Sequence, residues 1–141
     1  MILGVEMGKL SMSKVQVSLI MTKKLITATP KITVEVATQL MIDNDVECLP
    51  IINSTEELIG LITFRDIVKK VVYPSAFGWE LTIEEIMVRN VTTCSPNSSM
   101  LEVVKTMKNR YLRRIPVVDS KNKLVGLVTN FDLALFGWDL E

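Results

Sequence analysis

The chain predicts an α/β fold of the α+β kind, in which one β-α-β-β-α unit is written twice. Two observations carry that expectation. Residues Val15–Lys70 align on Leu81–Phe136 at an offset of 66, without a gap. Within each copy, apolar residues recur first at helical spacing and then in short strand-like runs. Met21 falls on Met87, Pro30 on Pro96, Met41 on Met107 and Pro50 on Pro116. Gly60, Thr63 and Asp66 fall on Gly126, Thr129 and Asp132. A repeat of this period means two copies of one supersecondary unit, each too small to bury its apolar face alone.

The elements follow in order. A short lead helix (17–22, 83–88) gives way to a brief strand around 25–27 and 91–93, which Pro30 and Pro96 stop. The next helix starts at Thr33 in copy one and at Ser99 in copy two, where Ser99-x-x-Glu102 is a capping box. Val34, Ala37, Leu40 and Met41, then Met100, Val103, Val104 and Met107, give it an apolar face. Two strands come next, "LPIIN" and "LIGLIT", echoed as "IPVVD" and "LVGLVT". The polar links 54–57 and 120–123 suit hairpins. Pro50 and Pro116 lack an N–H, so their strands are expected at an edge, or to begin there. A closing helix begins near Asp66 and again near Asp132. The phrase "FGWEL" (77–81) returns as "FGWDL" (136–140) at an offset of 59, so the register slips in the Tyr73–Glu80 link. Trp79 and Trp138 read as packing anchors rather than ligand platforms. The expected domains are an N-terminal extension (1–14), two repeats (15–72 and 81–136) around a linker (73–80), and a tail (137–141).

Composition narrows the function. Sixteen basic residues balance sixteen acidic ones, and 48% of the chain is hydrophobic. Neither disorder nor a polyanionic partner is indicated, although Lys105, Lys108, Arg110, Arg113 and Arg114 could form a local basic face. No apolar run approaches the ~20 residues of a membrane span, and no signal-peptide pattern opens the chain. Cys48 and Cys94 show no CxxC spacing and read as reduced thiols, which makes a cytoplasmic protein the expectation. There is no histidine, so the commonest general base and metal ligand is missing. No nucleotide-loop, nucleophile-elbow or metal-ligand motif is present, and an enzyme is not expected.

The tandem unit, with "LPII" and "IPVV" followed by "GLITFRD" and "GLVTNFD", resembles a pair of cystathionine-β-synthase (CBS) domains, the Bateman module. The resemblance spans Val15 to Phe136. It implies a pseudo-twofold pair of small α/β units whose clefts hold adenosine-containing ligands such as AMP, ADP or ATP. It also implies a homodimer that regulates an enzyme or transporter, with no cofactor of its own. S-adenosylmethionine or NAD as ligand, nucleic acid as partner, and a scaffold with decayed clefts are the alternatives.

Site residues follow from the same motifs. Thr63-x-x-Asp66 and Thr129-x-x-Asp132 are ordinary helix starts, Thr as N-cap and Asp at N3. The two roles are compatible, because a helix N-terminus offers donors to phosphate and a carboxylate accepts from ribose hydroxyls. The resemblance assigns Asp66 and Asp132 to the ribose, with Thr63 and Thr129 near ribose or phosphate. Arg113 and Arg114, before Ile115-Pro116, read by themselves as a solvated basic patch. In the gamma subunits of AMP-sensing kinases, basic residues at this place contact phosphate, a role guanidinium forks suit well. Copy one has Glu47 and Cys48 there, with Arg65 as partial compensation. Ile26, Thr27 and Pro30, and Thr92, Thr93 and Pro96, match the segments that line adenine in the family. By themselves, both prolines only end strands. The arginines make the cleft using Asp132 the expected main phosphate site. The resemblance also lets Arg114 reach the ligand of the other copy, since both phosphate ends approach the pseudo-twofold axis.

Overall fold

The structure is a computed structural model that describes residues 11–74 and 78–139, with side chains through residue 136. It forms two compact units. One is Ile26–Val91; the other joins the described residues up to Leu25 to those from Thr92 onward. Sequence repeat and compact unit are therefore different divisions of the chain. The lead segment around Ile83 lies in the unit that holds copy one's strands, and that around Val17 in the unit that holds copy two's.

In the Ile26–Val91 unit, helix α1 (Val34–Asn44) is followed by β1 (Cys48–Ile52), β2 (Leu58–Thr63) and the short α2 (Phe64–Ile67), which runs on as a π-helical turn at Val68–Val72. The other unit repeats the order with α3 (Met100–Arg110), β3 (Arg114–Val118), β4 (Leu124–Thr129) and a regular α4 (Asn130–Asp139). Each pair of strands is an antiparallel hairpin with matching register, Pro50 opposite Leu61 and Pro116 opposite Leu127. The predicted hairpin links owe their shape to side-chain turns. Asn53 Oδ1 accepts from the N–H groups of Thr55 and Glu57, and Asp119 Oδ1 accepts from those of Lys121 and Lys123. These bonds hold the Asp119 carboxyl below its usual range, Lys123 N–H contributing most.

Both helix starts at Thr33 and Ser99 are as expected. Ser99 and Glu102 close a reciprocal capping box. Thr33 accepts from Val36 N–H, and Val36 has nothing to return. Each core is aliphatic. Val34, Ala37, Met41, Leu49, Ile51, Ile62 and Ile83 bury completely in one unit, as do Val17, Val117 and Val128 in the other. Trp79 packs on the first core half-buried, consistent with an anchor role. Phe77 lies outside the described residues, and the Trp138 side chain is not described.

Two expectations need correction. The lead segments are single 3-10 turns, Val17–Leu19 and Ile83–Glu85, rather than helices over 17–22 and 83–88. Their following residues turn to the sheets: Thr22 pairs with Leu127, and Val88 with Leu61. The strands expected at 25–27 and 91–93 shrink to one parallel bridge each, Ala28 with Ile51 and Cys94 with Val117. The prolines explain this. Ala28 N–H bonds Pro50 C=O and Ile52 N–H bonds Ala28 C=O. Carrying the ladder back to Ile26 requires an N–H at Pro50, which has none. Pro116 imposes the same limit on Thr92. Both proline strands are edge strands, as expected.

Candidate functional site

The repeated Thr-x-x-Asp motif sits where each hairpin ends and its helix begins. Asp132 N–H donates to Thr129 Oγ1 at 3.1 Å, while Asp132 Oδ2 accepts from the Thr129 N–H at 2.9 Å and hydroxyl at 3.1 Å. Asp66 repeats this with Thr63 at 3.2, 2.9 and 3.0 Å. Both are reciprocal capping boxes, so the structural reading of the motif is correct. One oxygen of each half-buried carboxylate is taken by its own helix start, and Oδ1 is left to meet something else.

What Oδ1 meets differs between the units. Asp132 Oδ1 accepts from the Thr22 hydroxyl at 3.2 Å, with Oδ2 at 3.3 Å. Asp66 Oδ1 instead lies 3.8 Å from Lys70 Nζ, which donates to the Ile86 carbonyl at 2.7 Å. At the repeat offset Thr22 corresponds to Val88 and Lys70 to Phe136. Sequence reading missed Thr22 and Lys70. An Asp66–Lys70 pair at i,i+4 is a legible signal, whereas nothing local links Thr22 to Asp132.

Register brings the arginines to the same end of the hairpin. Arg114 stands opposite Thr129, and Asn130 N–H donates to Arg113 C=O at 2.9 Å. Arg113 is exposed and Arg114 half-buried. In the other unit Cys48 stands opposite Thr63, and Phe64 N–H donates to Glu47 C=O. Cys48 is buried, while Glu47 and Arg65 are exposed. Thr129, Asp132, Arg113 and Arg114 thus share one end of a sheet, and Thr63, Arg65 and Asp66 share the corresponding end of the other.

The strand-one residues are more scattered. Thr92 Oγ1 accepts from the Arg110 guanidinium at 3.2 Å. Thr93 and Pro96 line a polar cavity of about 670 Å³ with Ser95, Asn97, Val118 and Asp119, at the far end of β3 from Arg114. Pro116 is buried and its carbonyl accepts from Cys94 N–H, a sheet role. Pro30 and Pro96 carbonyls accept from Glu84 and Ser18 N–H groups, so both prolines anchor lead turns. Ile26 packs against the core of its unit, and Thr27 is half-buried. Burial, with Glu102 nearby, pushes the Cys94 thiol up to about 11, which lowers its thiolate fraction at neutral pH. Among the described residues no cluster could hold a metal, and no helix is long and apolar enough to cross a membrane.

The CBS domain family matches residues 17–73 and again 83–137, and the chain belongs to that family. The chain is 29% identical over 123 residues to a homoserine O-acetyltransferase of Methanohalobium evestigatum, covering 87% of this chain but 24% of the relative. It thus spans about a quarter of that enzyme's length. Among solved structures it is similar to the CBS domain pair of protein MJ0100 in complex with 5′-methylthioadenosine and S-adenosyl-L-methionine. There the identity is 33%, the TM-score 0.77, and the coverage 86% of this chain and 98% of that one. It also resembles protein MJ1225 of Methanocaldococcus jannaschii, described as a proposed archaeal homologue of γ-AMPK: 26% identity, TM-score 0.77, 89% coverage of this chain and 50% of that one.

Proposed function

We propose that this CBS domain pair binds an adenosine-containing ligand, with AMP or ATP as first choice, and serves as a regulatory module. The single observation that carries this reading is the likeness to a CBS pair solved with two adenosine ligands. The geometry supports it. Each unit presents a half-buried Asp at a helix N-terminus, a place suited to ribose hydroxyls and neighbouring phosphate. The arginines beside Asp132 favour phosphate-bearing ligands there. The same likeness favours S-adenosylmethionine or methylthioadenosine as the second reading. As a regulatory module, the protein would work as a cytoplasmic homodimer on a regulated enzyme or transporter. A ligand shifts such a partner only by its differential affinity for two states.

Thermal unfolding with AMP, ATP, S-adenosylmethionine, methylthioadenosine and NAD tests the reading. A ligand specific for the folded chain adds RT ln(1 + [L]/Kd), about 2.7 kcal/mol at a hundredfold excess over Kd. AMP or ATP is expected to raise the midpoint most, and Asp132→Ala to remove most of that rise. A midpoint unmoved by any of the five at millimolar concentration rejects ligand binding in favour of a scaffold role.

A further inference from the structure

The two carboxylates share a capping box but not their second partner, and the difference has a structural cause. Gly126 lacks a Cβ, so Met21 lies directly over it; a Cβ there would collide with the Met21 thioether. With Met21 seated, Thr22 pairs its backbone with Leu127, N–H to C=O at 2.8 Å and C=O to N–H at 3.0 Å. That pairing brings the Thr22 hydroxyl to Asp132. The other unit contains its own control. Met87 lies over Gly60, and Val88 pairs with Leu61 at 2.9 Å both ways. The scaffold is the same, but Val88 offers no oxygen.

We infer that Thr22 completes a diol-binding site with Asp132, on the reading above that Asp132 receives ribose. A carboxylate has about four lone-pair positions. Thr129 takes two on Oδ2, and Thr22 donates across the pair. The Thr22 oxygen keeps lone pairs of its own. One ribose hydroxyl therefore donates to Asp132 Oδ1 and its neighbour to Thr22 Oγ1, which is itself polarised by donating to the carboxylate. The Asp66 site lacks the second acceptor and has the Lys70 ammonium beside Oδ1.

The probes are AMP and its 2′-deoxy and 3′-deoxy analogues, measured by titration calorimetry on the full chain. Thr22→Val installs the side chain that the other unit tolerates at Val88, and Thr22→Ser restores the hydroxyl. We expect Thr22→Val to weaken AMP binding about tenfold, the scale of one hydrogen bond in a charged site, with Thr22→Ser within about threefold of wild type. One deoxy analogue should bind Thr22→Val and wild type alike, because its missing hydroxyl is the one Thr22 receives. Equal loss for AMP and both analogues, equal loss in Val and Ser variants, or no loss in either overturns the inference. Asp132→Asn separates it from the reading beneath it. If Asp132→Asn loses AMP while Thr22→Val keeps it, only the role of Thr22 falls; if Asp132→Asn binds AMP normally, or wild type binds no probe, the ribose role of Asp132 falls too.

Discussion

Gly60 and Gly126 sit mid-strand, where a missing side chain decides what can lie on the sheet. A Cβ on either would meet the thioether of Met87 or Met21, with Cγ at 3.0 and 2.9 Å. Overpacking of this kind costs typically about 1–3 kcal/mol, softened here because methionine bends. Gly126→Ala is expected to lower the urea midpoint accordingly, and Gly126→Ala with Met21→Ala to recover part of the loss; an unchanged midpoint in the single variant contradicts the packing. Cys94 makes a second prediction at this scale. Its thiol is raised from an ordinary 9.0 to about 11, first by burial and then by Glu102. The unfolded chain thus releases the proton earlier than the folded one, and stability falls as pH rises from about 9 to about 11. Cys94→Ser should flatten that limb of the pH–stability curve, while the wild-type thiol resists alkylation at neutral pH. The repeated Met–Gly pairs were legible as repeats, but not as contacts. Their meaning rests on which lead segment joins which sheet, and no local pattern encodes that.

The helices that start at Thr33 and Ser99, and the hairpins, are legible because their signals are local: apolar period, caps, and polar links between strands. Thr33 and Ser99 cap as their chemistry dictates, and both Thr-x-x-Asp boxes close. The first strand of each copy is overread because a strand-like run says nothing of the partner strand. Pro50 and Pro116 deny it the N–H it needs, a non-local veto. The lead helices were overread as well, since Thr22 and Val88 are drawn into pairing with Leu127 and Leu61. The closing element of copy one carries Phe64, Val68 and Val72 at four-residue spacing, 38%, 54% and 53% exposed. An apolar stripe of this kind on a helix commonly marks an interface. For the homodimer proposed above, Val68→Glu is expected to shift sedimentation toward monomer at micromolar concentration while the far-ultraviolet circular dichroism of the folded chain stays unchanged. A wild-type chain that sediments as a monomer at that concentration would count against the dimer itself.

At the scale of the whole molecule, two copies of one unit need not be two equal sites. The capping geometry of Asp66 and Asp132 agrees within 0.1 Å for each bond, so any inequality arises from what surrounds them. Asp132 has a hydroxyl partner in Thr22 and shares its sheet end with Arg113 and Arg114. Asp66 has Lys70 near one oxygen and shares its end with Glu47 and Cys48. An ammonium beside the carboxylate competes with ribose hydroxyls for its lone pairs, and Glu47 repels a phosphate. A hydrogen bond to a charged group contributes about 1.5–3 kcal/mol, or roughly ten- to a hundredfold in affinity. The site built on Asp132 should therefore fill with AMP well before the one built on Asp66. Asp66→Ala and Asp132→Ala separate them, because each leaves its Thr N-cap in place and gives up the reciprocal half of the box, at about 1 kcal/mol, together with the contact to Lys70 or Thr22. Calorimetry on the two variants is expected to show the tight phase abolished by Asp132→Ala and retained in Asp66→Ala. Equal weakening, or greater harm from Asp66→Ala, would move the main site to the other carboxylate. In that event the guanidiniums of Arg113 and Arg114 would not be serving the carboxylate that shares their sheet end.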